Sequence, residues 1–273
     1  MIHEQGRLDL RNANLAQANL PNLDLRGADF SGADLSEANF ERSNLEGAIF
    51  NGAKLTKANL RGAICNGASF KDAYLRGAVL SEAQLVKADL SDANLREAKL
   101  IAADLRGARM VGVKLRSAVL RHAKLRQADL TSARMREADL REANLTMACL
   151  RNAELTKAKM KQANLGRVDF AGADLRGADL RTANLHEANL VGADLSYANL
   201  STANMVDANS SEAEMSGARM KRTDLTGADL TRANLCGARL GGARINGARF
   251  QNAKLSTLLR VYLRFRTLLG SAG

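Results

Sequence analysis

Two series of cations are the residues best placed to do chemistry in this chain of 273 residues. Arg76, Arg96, Arg116 and Arg136 recur every twenty positions, with Arg176 further along the same series. Arg121, Arg141, Lys161 and Arg181 form a second series with the same step. Guanidinium and ammonium groups bind carboxylates and phosphates, the former often in bidentate geometry. Either series becomes a docking strip for an anionic surface if a step of twenty residues brings its members side by side. The other reactive side chains do not converge. His3, His122 and His186 are the only histidines, and Cys65, Cys149 and Cys236 the only cysteines. No HxxxH, CxxC, GxSxG, Walker or GxGxxG pattern occurs. Asp and Asn recur along the whole chain, which is the behaviour of a structural repeat and not of a selected acid–base pair. The residues predict no catalytic site, no metal site and no cofactor.

The step of twenty must come from the elements that carry these side chains. Ala-x-Leu recurs every five residues from Leu8 to Leu255 without a slip in register. Ala fills forty-four of the fifty sites 8, 13, 18 and onward; the exceptions are Leu8, Leu23, Ser43, Val113, Val168 and Thr223. Leu fills thirty-five of the fifty centres 10, 15, 20 and onward, and all the others but Ser210 are Phe, Met, Ile or Cys. A period of five matches neither an amphipathic helix nor a half-buried strand. It turns the chain by a fixed angle per unit and points the same two side chains inward, the mark of a solenoid. Seventeen of the 22 glycines fall two residues after a centre, which predicts a type II turn with positive φ there. Pro21, one residue after a centre, suits a turn position with φ of about −65°.

The motif Ala-[Asp/Asn]-Leu-x-x, as in Ala13-Asn14-Leu15, Ala33-Asp34-Leu35 and Ala193-Asp194-Leu195, resembles the pentapeptide-repeat family over about nine-tenths of the chain. The resemblance implies an all-β solenoid: a right-handed quadrilateral (four-sided) β-helix with four pentapeptides per coil and about twelve coils over residues 8–255. Residues twenty apart then stack on one face, and strands about 4.8 Å apart make a rod about 60 Å long. Phe30, Phe50, Phe70, Phe170 and Phe250 share one column, which predicts a core wall of stacked rings. Both cation series become ladders. Like charges one strand apart are destabilising, so the ladders invite a docking reading. The alternative is a mixed lattice in which Glu97, Glu137 and Glu142 each neutralise the ladder arginine beside them. Some members of the family bind DNA gyrase or topoisomerase IV as DNA mimics, so the resemblance also implies a topoisomerase as a partner.

The net charge of +11 is banded: −2 over residues 1–94, +9 over 95–165, −5 over 166–214 and +9 over 215–273. The site before each centre is Asp or Asn in twenty-eight of fifty repeats and Lys or Arg in twelve. Five of those twelve, Arg219, Arg239, Arg244, Arg249 and Lys254, crowd into the last band. A mimic of DNA should be acidic, and only the 166–214 band has that sign, through Asp169, Asp174, Asp179, Asp194 and Asp207. Non-specific binding of nucleic acid or another anionic polymer through the basic bands is the electrostatic alternative. Against it, aromatics are 4%, Trp is absent and no base-stacking platform is evident. No signal peptide or transmembrane segment is recognisable, which favours the cytoplasm and argues against integral membrane insertion. Cysteines this far apart predict free thiols, with Cys65 buried at a centre.

The repeat stops at Leu255, and residues 256–273 change period. Leu258, Val261, Tyr262, Phe265 and Leu269 trace one face of an amphipathic C-terminal helix, with Ser256 as N-cap and Gly270 as stop. That helix is expected to cap the last coil. Leu259, Leu263 and Leu268 are left over, and a second apolar surface suggests a homodimer, as this segment forms in some members of the family. The basic helix could instead lie on a membrane. Only Met1–Arg7 precede the first coil. Ser210 is expected to hydrogen-bond a coil carbonyl; the alternative is a bend or adaptable seam among Met205, Met215 and Met220. Solenoids work through extended surfaces, so the expected function is a non-catalytic protein-binding scaffold. Topoisomerase interaction and polymer binding stand as the alternatives.

Overall fold

The computed structural model describes residues 8–257, 260 and 261. Every residue that precedes a centre bridges, in parallel, the residue twenty positions on, from Asp9 with Asp29 through Asp229 with Arg249. At the last step the contact widens into two paired strands, β1 (Asn234–Leu235) and β2 (Lys254–Leu255). The chain is a right-handed quadrilateral β-helix with one pentapeptide per side. Face 1 is centred on residues 10, 30 and onward, face 2 on 15, 35 and onward, face 3 on 20, 40 and onward, and face 4 on 25, 45 and onward. The two residues after each centre make the corner.

Backbone bookkeeping explains the repeat. Leu15 N donates to Asp34 O at 2.7 Å, Gln17 N to Ser36 O at 2.8 Å, Asp34 N to Ala13 O at 2.9 Å and Ala18 N to Leu15 O at 3.1 Å. Four of the five N–H groups in each unit between the end coils are thereby used, and only that of the first corner residue is left over. The Asp or Asn two residues earlier accepts it, as Asp29 Oδ1 does from Ser31 N at 2.9 Å and Asp194 Oδ1 from Ser196 N at 2.9 Å. The Ala-[Asp/Asn]-Leu signature is this local side-chain-to-backbone bond repeated along the chain. Pro21 occupies the one position in its unit where no N–H is required by the ladder.

The second corner residue has φ between 55° and 73° at every position from 12 to 252. Glycine is favoured there on conformational grounds. Gly227 is required more strictly, because a Cβ would collide with the Asp207 carboxylate. Inside the rod, Ala and Leu columns are buried along almost the whole length. Phe30, Phe50 and Phe70 stack with centroids 4.9 and 4.7 Å apart, and Phe40 meets Phe30 edge-on at 5.7 Å. The ring wall stops there: Leu150 and Leu190 flank Phe170 in its column, and Phe250 is only partly buried.

The hydroxyl exceptions behave in two ways. Ser43 Oγ donates to Leu20 O at 2.6 Å and accepts from Leu23 N at 3.2 Å. Thr223 Oγ1 donates to Leu200 O at 2.7 Å. Both stand at Ala sites, and each reaches the carbonyl of a centre leucine of the preceding coil. Ser210 stands at a centre, in a column between Leu190 and Leu230, and its buried Oγ has no hydrogen-bond partner among the described residues. The expected bond to a coil carbonyl is therefore not made. No seam opens either, since Ser210 N donates to Asp229 O at 2.7 Å and the ladder runs through unbroken.

At the first coil Leu8, Leu10, Leu15 and Leu20 are only partly buried and Leu23 is 42% exposed. At the other end Arg260 N donates to Ser256 O at 3.0 Å, one helical hydrogen bond. The expected cap and dimer residues Leu258, Leu259, Tyr262, Leu263, Phe265, Leu268 and Leu269 lie outside the described residues, as do Met1–Arg7. Among the described residues, no helix is long and apolar enough to cross a membrane.

Candidate functional site

The first ladder, Arg76 to Arg136 with Arg176, lies on the corner between faces 2 and 3. The second, Arg121, Arg141, Lys161 and Arg181, lies on the corner between faces 3 and 4. What read as two separate columns are the two edges of one face. Backbone bonds stack their members coil on coil, with Gly77 N to Arg96 O at 2.9 Å, Glu97 N to Arg116 O at 3.0 Å and Ser117 N to Arg136 O at 3.0 Å. Between the edges runs the outward column Lys99, Val119, Asp139, Lys159, Asp179, Asn199, Arg219, Arg239. From Arg96 to Gly242, face 3 with its two corners carries fifteen Lys or Arg against five Asp or Glu. The opposite face, from Arg106 to Asn252, carries seven against six. The basic bands of the sequence are thus a basic face.

Which of these cations are available depends on the residue two positions earlier. In each Asp-Leu-Arg tripeptide the arginine folds back onto the aspartate, at 2.8 Å for Arg11–Asp9, 2.7 Å for Arg26–Asp24 and Arg106–Asp104, and 2.6 Å for Arg141–Asp139, Arg176–Asp174 and Arg181–Asp179. The carboxylate already accepts the corner N–H, so the guanidinium closes a bidentate fork on a group that the backbone holds still. The Arg176 fork holds the Asp174 carboxyl down to about 2, outweighing partial burial. Asp104 and Asp179 are lowered for the same reason by Arg106 and Arg181. Arg96 and Arg116 follow Asn94 and Lys114 instead, and neither has an ion-pair partner among the described residues.

The expected lattice forms only in part. Glu137 binds Arg136 at 3.3 Å, as its position implies. Glu97 passes over Arg96 and binds Arg76 of the preceding coil at 3.0 Å, while Glu142 binds His122 at 3.5 Å. The second ladder is neutralised by carboxylates the sequence had not singled out: Asp139, which also lies 4.0 Å from Arg121, and Asp179.

The acidic band does not gather on one face. Asp169 lies on face 1, Asp179 on face 3 and Asp207 on a corner, but Asp174 and Asp194 join Glu154 and Glu214 on four consecutive coils of face 2. Arg134 lies 3.8 Å from Glu154, and Arg176 lies 3.7 Å from Asp194.

The nucleophile and metal candidates stay apart. Burial pushes the Cys65 thiol up to about 12, Cys149 Sγ lies 3.2 Å from Thr131 Oγ1, Cys236 is exposed, and all three are free. His186 binds Val206 O at 3.1 Å and Glu187 at 2.9 Å. Among the described residues, no group of three His, Cys, Asp or Glu is placed to hold a metal ion.

The coil geometry and its Asx-bonded corners define a solenoid of five-residue units, and the family model of pentapeptide repeats matches it in overlapping stretches from residue 9 to residue 257. The chain belongs to the pentapeptide-repeat family. No curated protein matches it. Among solved structures it is similar to HetL of the cyanobacterium Nostoc sp. strain PCC 7120, a pentapeptide repeat protein involved in heterocyst differentiation regulation. That match has 29% identity over 91% of this chain and 92% of the other, with a TM-score of 0.45. It is also similar to QnrB1, a plasmid-mediated fluoroquinolone resistance protein, with 19% identity over 91% and 96% of the two chains and a TM-score of 0.39.

Proposed function

We propose that the protein is a non-catalytic binding scaffold that docks a protein partner through face 3, the partner presenting an acidic surface. The observation that carries this reading is Arg96 and Arg116 on consecutive coils at one edge of face 3, neither with an ion-pair partner among the described residues, on a face where Lys and Arg outnumber Asp and Glu fifteen to five. Cations stacked one strand apart repel one another, and a partner's carboxylates relieve that repulsion on docking. The rod supports the role because its rigid lattice fixes charge spacing at little entropic cost on binding. A topoisomerase partner recognised through DNA mimicry would use the acidic column of face 2, which Arg134 and Arg176 partly offset. The sign of face 3 favours an acidic partner over that reading.

Capture from a native extract tests this with three proteins: the unaltered chain, the Arg96→Glu/Arg116→Glu/Arg136→Glu variant, and a matched triple reversal on the opposite face. A partner lost with the face 3 variant alone supports the reading, and a partner kept by that variant contradicts it. A labelled duplex DNA titrated at several salt concentrations separates the second reading. Binding that weakens steeply with salt and vanishes in the face 3 variant would make the face a nucleic-acid surface.

A further inference from the structure

Near the C-terminal end of the same rod, one corner column is mostly glycine. The corner column between faces 2 and 3 reads Gly177, Tyr197, Gly217, Gly237 on consecutive coils. Tyr197 has φ 59° and lays its ring along the rod over Gly217, where a Cβ would come within 2.8 Å of ring atoms Cδ1 and Cε1. The Cδ1–Cε1 side of the ring therefore sits over Gly217, and the residue as a whole is 75% exposed. Beyond it the bare Gly237 opens a groove of about 400 Å³, lined by Tyr197, Asn199, Arg219 and Arg239 with the three glycines.

The two arginines are the second observation. Arg219 and Arg239 bridge each other as consecutive residues of the outward column of face 3. Neither has an ion-pair partner among the described residues, and no Asp or Glu occurs on that face between Asp179 and Gly242. At these positions the repeat usually places Asp or Asn, whose oxygen takes up the spare corner N–H, as Asn199 does from Ser201 N at 3.2 Å. Two coils in succession give up that bond for a pair of adjacent guanidinium groups. Like charges one strand apart are unfavourable until an anion sits between them.

An exposed aromatic face beside paired, unneutralised guanidinium groups matches a planar ring joined to a phosphate. We propose that this groove binds a nucleotide, with the base stacked on the outer face of Tyr197 and the phosphate held by Arg219 and Arg239. The groove has the volume of a small-molecule site and admits about one such unit. A base locked inside a duplex has no free face to offer, so the nucleotide is either free or part of a single strand. Arg219 and Arg239 lie on face 3 but are not ladder residues, so the variants that test this site leave Arg96, Arg116 and Arg136 untouched and the two readings fail separately.

The test is calorimetric titration of the full chain with four probes: AMP, adenosine, inorganic phosphate and a 5′-phosphorylated oligo-dA of ten nucleotides. The variants are Tyr197→Gly and Arg219→Gln/Arg239→Gln. Glycine suits the positive φ at this corner and matches its neighbours in the column, so Tyr197→Gly folds. The expected result is AMP binding that weakens about tenfold or more in each variant, a loss on the scale of one base–aromatic stack. Adenosine and phosphate alone bind more weakly than AMP. An oligomer that binds tighter than AMP identifies a single strand as the source, and equal affinity identifies the free nucleotide. Absence of binding by both AMP and the oligomer overturns the proposal. So does phosphate binding as tightly as AMP, or binding unchanged in Tyr197→Gly.

Discussion

The Arg141 guanidinium closes on the carboxylate of Asp139, two residues earlier, with Nε at 2.8 Å and Nη2 at 2.6 Å. The same fork recurs in every Asp-Leu-Arg of the chain, and it separates chelated from available cations on face 3. For Arg141, Arg176 and Arg181 the residue before the centre decides availability, while Arg76 and Arg136 are engaged by Glu97 and Glu137 instead.

It follows that Asp139→Asn releases Arg141 and raises the affinity of face 3 for an acidic probe, while Asn94→Asp chelates Arg96 and lowers it. Asp139 is only 13% exposed, so Asp139→Asn also lowers the melting temperature modestly, whereas Asn94→Asp, beside the exposed Arg96, leaves it nearly constant. Anisotropy of labelled poly-L-glutamate against each variant checks the opposite signs.

The forks also set the acid limit of the fold. The Asp174 carboxyl lies at about 2 in the folded chain, below the ordinary aspartate value of about 3.9. A depressed folded value means the stabilisation is complete above the unfolded value and disappears as pH falls through the folded one. Stability is therefore expected to decline between about pH 4 and pH 2. Arg176→Gln should move the Asp174 carboxyl upward, which carboxyl NMR titration reads directly.

One substitution should act with opposite signs at two buried serines. Ser210→Ala removes a hydroxyl without a partner and is expected to stabilise by about 1 kcal/mol. Ser43→Ala removes the bridge between Leu20 O and Leu23 N and is expected to cost about 1–2 kcal/mol. Thermal melts of the two variants decide it.

The positive-φ corner gives a second pair of opposite signs. Ala102, at φ 55°, is expected to gain up to about 1 kcal/mol on replacement by Gly, and Gly227→Ala to lose about 1–2 kcal/mol. Denaturant titration separates them.

The fold was legible because its cause is local and repeated: an Ala, a Leu and an Asx oxygen in every unit, each with one task. The charges were less legible because their pairing depends on direction across a corner. Glu97 and Arg96 are adjacent in sequence, yet Glu97 reaches Arg76 on the preceding coil. Asp139 and Arg141 are separated by an inward Leu, yet the turn brings them together. The two ladders looked independent because the coil, and not the sequence interval, makes them edges of one face. Composition argued against a stacking platform, but Tyr197 is exposed because the glycine at 217 lets its ring lie down. Ser210 stands at a centre and not at an Ala site, where the carbonyls of Leu20 and Leu200 serve Ser43 and Thr223, and among the described residues its hydroxyl has no partner.

The most direct test of the docking face is fluorescence anisotropy of labelled poly-L-glutamate against three folded proteins at low salt. These are the unaltered chain, the Arg96→Glu/Arg116→Glu/Arg136→Glu variant, and an opposite-face control, Arg106→Glu/Arg126→Glu/Arg151→Glu. The account predicts binding that is lost in the first variant and retained in the control. Equal loss in both, which would follow from net charge alone, would contradict it.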